Sequence, residues 1–159
     1  MEKEFVAIIN QHRGLVYKIC HLYARDRDDQ QDLFQDIVLQ LWRAFPSFRK
    51  ESLITTWMYK VALNTAISWF RKEKRKPSIQ RISGAELQLP DLEPNTETEI
   101  LYQAIQHLTH VEKAIIILYL DEKSYQEISD IMGITLSNVG VKINRIKMKL
   151  EKIVKHYQL

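Results

Sequence analysis

The segment SYQEISDIMGITLSNVGVKINRIK, residues 124–147, reads as a short amphipathic helix, a glycine turn and a longer amphipathic helix. Ser124 and Glu127 have the spacing of a capping box, so we expect the first helix to begin there, and Gly133 is placed to end it. Thr135 can cap the second helix. The apolar positions of the second helix recur at helical spacing and predict a buried stripe of Val139, Ile143, Ile146 and Leu150. The pattern predicts a helix-turn-helix.

The other face of this second helix is polar and basic. The positions predicted to lie nearer the outside are Ser137, Asn138, Val141, Lys142, Asn144 and Arg145. Such a helix suits the major groove of DNA, where side chains near its start reach base edges and Lys or Arg further along reach phosphates. An ordinary helical hairpin with a solvated basic face gives the same pattern, so both interpretations stay open on these residues alone.

The sequence before this segment completes a helical domain over residues 96–159. Residues 97–108 have a helical pattern, and Thr109 with Glu112 repeats the capping-box spacing. The apolar run of residues 114–118 follows and predicts a buried helix.

Charge is distributed unevenly along the 159 residues, although the formal net charge is only +3. Residues 71–81 hold six basic side chains against Glu73, and residues 142–155 hold six against Glu151. Five acidic residues and no Lys or Arg lie between positions 82 and 99. Because this acidic stretch also contains Gly84, Pro90 and Pro94, residues 77–95 are predicted to be a flexible linker between two domains.

The first domain, residues 1–76, is also predicted to be helical. Apolar residues recur at helical spacing from Phe5 to Tyr23, which predicts one helix. A second helix carries an unusually wide apolar stripe and ends at Pro46, and a third runs over residues 54–74. The predicted fold class is therefore all-α, with two small helical domains.

Residues 55–72 interleave aromatic, amide and basic side chains, a mixture that can hold single-stranded nucleic acid by stacking on bases and attracting phosphates. Trp57, Val61 and Ile67 also fit one buried helix face, and for Trp57 and Trp69 a core position is favoured. Asn64 is a polar amide among apolar neighbours. It either finds a core partner or reaches a ligand.

Residues 26–36 are acidic and would repel a phosphate backbone, so their expected partner is a protein. The helix macrodipole alone explains Asp28 and Asp29, because carboxylates stabilise the first turn of a helix.

Several classes of function lack the residues they need. Cys20 is the only cysteine, which excludes an intramolecular disulfide and a cysteine-based zinc site, and its apolar neighbours predict a packed thiol. The five histidines have no ligand-like spacing and are expected at surfaces or caps. No catalytic constellation or phosphate-binding glycine loop is present, so we expect neither an enzyme nor a metal or cofactor. Without a signal peptide or a membrane-spanning run, the chain is expected in the cytoplasm, with no membrane insertion.

Two groups of motifs resemble those of extracytoplasmic-function sigma factors. The first is Asp32-Leu33-Phe34-Gln35-Asp36 with Leu41-Trp42, followed by Thr56-Trp57-Met58-Tyr59-Lys60-Val61-Ala62, Asn64 and Arg71-Lys72, and it resembles their second region. The second is Ser124-Tyr125-Gln126-Glu127-Ile128 with Met132-Gly133-Ile134 and residues 139–150, and it looks like their fourth region. The short linker also suits this group.

The resemblance implies a sigma factor that binds core RNA polymerase and directs promoter-specific initiation. It implies that the clamp coiled coil of the largest polymerase subunit is bound by Asp32, Gln35 and Asp36. It implies that the minus-ten element is read and opened, with capture of an unstacked base, by Arg49, Lys50, Thr56, Lys60, Asn64 and Arg71. It implies that the minus-35 element of promoter DNA is read by Ser137, Asn138, Val141, Lys142 and Arg145. An anti-sigma factor is a further partner that the resemblance leaves open.

The chain departs from the family pattern at three places. Ser68 stands where many relatives carry Asp, Leu108-Thr109-His110 lacks the usual proline, and Gly140 lies inside the recognition helix.

Two other functions are alternatives to the sigma-factor interpretation. A helix-turn-helix transcription regulator would bind duplex DNA without polymerase, but it leaves the basic residues 71–81 unexplained. A nucleic-acid-processing enzyme would need acidic metal ligands, and no convincing set is present.

Overall fold

A computed structural model describes residues 1–75 and 96–157. Within these ranges the chain is helical and contains no strand, which confirms the all-α prediction. The helices are α1 (Glu2–Gln11), α2 (Arg13–Tyr23), α3 (Arg27–Ala44), α4 (Ile54–Arg75), α5 (Thr96–Gln106), α6 (His110–Leu120), α7 (Tyr125–Met132) and α8 (Leu136–Tyr157). A 3-10 turn, Phe45–Ser47, follows α3. The predicted linker, residues 77–95, lies outside the described residues.

The chain divides into two compact units, Met1–Leu87 and Gln88–Leu159. In the first unit α2, α3 and α4 pack on one another. The predicted stripe of α3 is buried at Leu33, Ile37 and Leu41. The side chains that face it from α2 and α4 and are almost fully buried include Val16, Ile19, Met58, Tyr59, Ala62 and Leu63.

The single helix predicted from Phe5 to Tyr23 is wrong, because the structure breaks it at His12. His12 has φ −112° and ψ 24°, and its carbonyl accepts a 3.2 Å hydrogen bond from the Leu15 amide, which starts α2. The break lets α1 pack on the C-terminal end of α3, where the Phe5 ring lies 5.0 Å from Trp42 and 5.4 Å from Phe45. The apolar residues keep the same helical phase across His12, so periodicity could not reveal the break.

In the second unit the apolar run of α6 is buried from Ala114 to Leu118, and α8 packs against α5, α6 and α7. Both predicted capping boxes are confirmed. The Glu112 amide donates to Thr109 Oγ1 at 3.2 Å and the Glu127 amide donates to Ser124 Oγ at 3.1 Å. Gly133 ends α7 with φ 67°, a left-handed conformation that glycine adopts at little cost. The helix-turn-helix prediction is therefore confirmed.

No helix in the described parts of the chain has both the length and the apolar character needed to cross a lipid bilayer.

Candidate nucleic-acid and protein interfaces

One candidate surface lies on α3. Its buried residues face α2 and α4, so Asp32, Gln35 and Asp36 are left on the exposed side. Asp26 caps the helix, since its Oδ1 accepts a 2.8 Å hydrogen bond from the Asp29 amide. Asp28 lies in the first turn, where the macrodipole favours a carboxylate. The structure thus brings the three predicted polymerase-binding residues onto one face of a helix.

An apolar groove adjoins this acidic face and was not predicted. It has a volume of about 650 Å³ and lies between α1 and α3, lined by Glu2, Phe5, Val6, Phe34, Gln35, Val38, Leu39 and Trp42. Three of its large apolar side chains are well exposed, Val6 at 49%, Leu39 at 42% and Trp42 at 40%. The unusually wide apolar stripe of α3 was the signal for it, because α2 and α4 cover only part of that stripe.

A second candidate surface lies along α4. Thr56, Lys60, Asn64 and Arg71 are spaced four, four and seven residues apart, which places them on one side of the helix. Lys60, Asn64 and Arg71 are exposed, and Thr56 is half-buried. Of the two alternatives for Asn64, the structure shows the outward-facing one. Within the described residues, neither Lys60 nor Arg71 forms an ion pair.

The tryptophans near this surface are only partly in the core. Trp57 is half-buried, with its ring 4.9 Å from Phe48 and 6.2 Å from Phe45. Trp69 is half-buried as well. The core position favoured for both residues is therefore only partly correct, since each keeps a solvent-accessible edge.

The loop before α4 holds the remaining predicted minus-ten residues. Arg49 and Lys50 are exposed, and Lys50 has φ 59°, a left-handed conformation that costs a non-glycine residue about 1 kcal/mol or more. A groove of about 670 Å³ separates this loop from α1. Its lining includes Ile8, Gln11, His12, Phe48, Lys50, Ser52 and Leu53. The loop therefore presents basic groups beside an accessible cleft.

The third candidate surface is the outer face of α8. The predicted stripe is buried at Val139, Ile143, Ile146 and Leu150. Among the predicted minus-35 residues, Lys142 is half-buried and the exposed ones are Ser137, Asn138, Val141 and Arg145. Thr135 caps the helix, because its Oγ1 accepts a 3.3 Å hydrogen bond from the Asn138 amide. The N-terminal half of α8 thus offers polar groups and Val141 to solvent.

Lysines further along α8 contact the rest of the second unit. Lys147 Nζ lies 4.3 Å from the centroid of the Tyr119 ring, and a hydrogen bond with Tyr119 raises the pKa of Lys147. Lys149 Nζ lies 3.0 Å from Glu112 Oε1 on α6. Burial raises the pKa of Glu112, but hydrogen bonds from Thr109 and Lys149 outweigh it and lower the pKa overall. Lys142 and Arg145, by contrast, have no carboxylate partner among the described residues.

Cys20 and the histidines do not form a site in the described residues. Cys20 is buried, which confirms the predicted packed thiol, and burial raises its pKa to about 12. His21 lies half-buried in the last turn of α2, and burial lowers its pKa. No three His, Cys, Asp or Glu side chains within residues 1–75 and 96–157 converge as metal ligands would.

Comparisons with known proteins match both units. The family model described as Sigma-70 region 2 matches residues 8–76, and the model described as Sigma-70, region 4, matches residues 98–150. The chain is 31% identical over 130 residues to RNA polymerase sigma factor YlaC of Bacillus subtilis, which covers 77% of this chain and 75% of that protein. It is 27% identical over 165 residues to the ECF RNA polymerase sigma-E factor of Haemophilus influenzae, covering 94% of this chain and 87% of that protein.

The fold also matches a solved structure, the sigma factor RpoE in complex with the anti-sigma factor NepR from Bartonella quintana. The TM-score is 0.75 at 20% identity, with 96% of this chain and 98% of that chain covered.

Proposed function

The chain belongs to the sigma-70 family, as an extracytoplasmic-function sigma factor, and on that premise we propose that it recognises minus-35 and minus-10 elements and assists strand opening. Sigma factors associate with RNA polymerase for promoter-specific initiation, and they are regulatory proteins rather than enzymes. The observation that carries the proposal is that three groups of residues lie on helix faces whose opposite faces close a core.

The polymerase is bound through α3 in this proposal. Asp32, Gln35 and Asp36 dock on the clamp coiled coil of the largest subunit. Gln35 also lines the apolar groove between α1 and α3, so docking combines carboxylate contacts with burial of Leu39 and Trp42. Apolar contact gives affinity, and the acidic pair favours a basic partner and disfavours nucleic acid.

The minus-ten element is read by α4 and the loop before it. Unstacking a base costs a few kcal/mol, which contacts to the extruded base must offset. Lys60, Asn64 and Arg71 supply charge and amide groups along α4, with Thr56 on the same side. Arg49 and Lys50 supply basic groups from the loop.

The minus-35 element is read by the N-terminal half of α8 in the major groove. Ser137, Asn138 and Val141 lie closest to the start of the helix, where base edges are reached. Lys142 and Arg145 follow within two turns, and their charges are available for phosphates.

The domain limits proposed are residues 1–76 and 96–159, joined by a linker over 77–95, and the division of the chain after Leu87 supports them. The NepR complex of the related fold supports an anti-sigma factor as a further partner. Because polymerase and promoters are its partners, we place the protein in the cytoplasm. A regulator that binds DNA without polymerase does not account for the region 2 match over residues 8–76.

Transcription by reconstituted holoenzyme tests the proposal. Core polymerase with this protein is given a library of duplexes in which two upstream segments are randomised, and the transcripts are sequenced. We expect transcripts that begin at a fixed distance from two enriched elements, and none with core enzyme alone. Tight binding to selected duplexes in the absence of core, with no transcript in its presence, would support the regulator instead.

A further inference from the structure

Val141 is an isolated apolar side chain on the outer face of α8. It is 45% exposed. Its helical neighbours at i−4, i−3, i+3 and i+4 are Ser137, Asn138, Asn144 and Arg145, all polar and all exposed. A single apolar group therefore stands inside a ring of hydrogen-bonding groups.

Neither packing nor helix propensity accounts for valine at this position. The buried stripe of α8 lies on the opposite side, at Val139, Ile143 and Ile146. A β-branched residue is also a weaker helix former than alanine, because it loses side-chain freedom in a helix. Within the second unit, the side chain of Val141 thus contributes little that a smaller residue would not.

The chemistry around Val141 matches one base pair in particular. In the major groove thymine is the base that carries a methyl group, and apolar side chains recognise it by contact. The adenine opposite offers an acceptor and a donor that one Asn amide can satisfy together. An apolar group flanked by Asn138 and Asn144 presents these two complements side by side.

We propose that Val141 contacts the C5-methyl of a thymine in the minus-35 element and so makes the protein prefer a T·A pair there. The proposal rests on the proposed function, because it requires α8 to lie in the major groove of that element. It gives Val141, already one of the proposed minus-35 residues, a specific role, which is to read one base by apolar contact.

Removal of single methyl groups from the DNA tests the contact. The minus-35 element is first obtained by selection with holoenzyme from randomised duplexes, and each thymine is then replaced in turn by deoxyuridine, which lacks only the methyl. We expect one position at which the replacement weakens binding of the wild-type holoenzyme by about fourfold, the value for one buried methyl group. With Val141→Ala this position should lose its methyl dependence.

Met148→Ala is the matched control. Met148 is 61% exposed on the same outer face, but it lies seven residues further along, about 10 Å from Val141 along the axis. This variant should keep the wild-type response to deoxyuridine. Both substitutions are at exposed positions and introduce a better helix former, so both proteins should fold.

The outcomes separate this proposal from the proposed function. If no duplex is selected, both fail. If the wild-type protein binds its selected element but no thymine position responds to loss of the methyl, the contact is refuted and minus-35 recognition stands. An equal response in wild type and Val141→Ala would also refute it, because another residue would then read the methyl.

Discussion

Two glycines of the helix-turn-helix have opposite roles. Gly133 adopts φ 67° at the end of α7, where a side chain is strained whatever the space around it. Gly140 is inside α8 with helical geometry, and a Cβ added there would lie 3.8 Å from the Tyr125 ring, an ordinary van der Waals distance. The first glycine is required by the turn, whereas the second weakens its helix.

Gly140→Ala should therefore stabilise the second unit. Alanine is favoured over glycine in a helix interior by about 1 kcal/mol, and here it meets no clash. Gly133→Ala is the contrasting variant and should lower the free energy of unfolding by about 1 kcal/mol, because its backbone is left-handed. Urea unfolding followed by circular dichroism measures the free energy of unfolding of both variants. A loss of stability in Gly140→Ala would contradict the view that Gly140 weakens α8.

Single residues differ in how well the sequence predicted them. Cys20 and Gly133 were predicted correctly, because an apolar neighbourhood and a helix end are local features. Asn64 stayed ambiguous and Trp57 was placed too deep. The exposure of Trp57 depends on how Phe45 and Phe48 pack against its ring, which helical spacing does not encode.

At the scale of elements, Glu112 joins two helices. It completes the capping box of α6 by accepting from the Thr109 amide at 2.9 Å, and the same Oε1 lies 3.0 Å from Lys149 Nζ on α8. A local cap is thus coupled to packing between helices.

Glu112→Gln should remove the ion pair and keep a side chain that can cap. We expect a loss of about 0.5 kcal/mol at neutral pH, typical of a partly exposed pair. The pKa of Glu112 is lowered in the folded state, so its stabilisation is present above its ordinary value of 4.5 and is lost as the pH falls through the folded pKa. Thermal unfolding of both proteins across this range measures the effect.

Glu151→Gln, at the more exposed Lys155 pair, is the control and should change stability less. A difference between wild type and Glu112→Gln that persists in strong acid would contradict this account.

Reversing two charges on α3 tests the docking surface. Asp32→Lys with Asp36→Lys should weaken binding to core polymerase by on the order of tenfold, because the new charges oppose a basic partner. Both positions are exposed, so the melting temperature should change little. Competition between labelled wild type and each variant for core enzyme measures the affinity. Asp28→Lys, in the first turn of the same helix, is the control. Unchanged affinity in a folded double variant would remove α3 from the docking surface.

Helices were predicted more reliably than the breaks and gaps between them. Capping residues and turns marked the starts of α6 and α7 from sequence, since those signals are local. The break at His12 lets α1 pack on α3, and the groove beside Trp42 lies between these two helices. The apolar pattern of residues 5–23 does not show the break, and the wide apolar stripe of α3 shows uncovered apolar surface but not which helix borders it.

At the scale of the whole molecule, each unit has its own core and its own basic surface. The α4 surface belongs to the first unit and the α8 surface to the second. In the proposed function, these two surfaces bind two segments of one promoter.

The salt dependence of promoter binding tests the phosphate contacts that are proposed for Lys142 and Arg145 of α8. Lys142→Ala and Arg145→Ala should each lower promoter affinity of the holoenzyme and reduce the slope of log affinity against log salt by about one, because each phosphate contact releases counterions. Lys155→Ala removes the same charge ten residues beyond Arg145, where Glu151 lies 3.3 Å away, and should leave the slope unchanged. If neither Lys142→Ala nor Arg145→Ala changed the slope, the result would argue against phosphate contacts at these two residues.

The placement of the aromatic residues gives the two units different optical properties. All three tryptophans, at positions 42, 57 and 69, belong to the first unit, and Trp57 lies against Phe48 of the loop that is proposed to engage the minus-ten element. Selective excitation of tryptophan therefore gives fluorescence from the first unit alone, because α8 contains no tryptophan. The intrinsic tryptophan emission of the protein is therefore a label-free signal for changes around Trp57 in the first unit, separate from changes at α8.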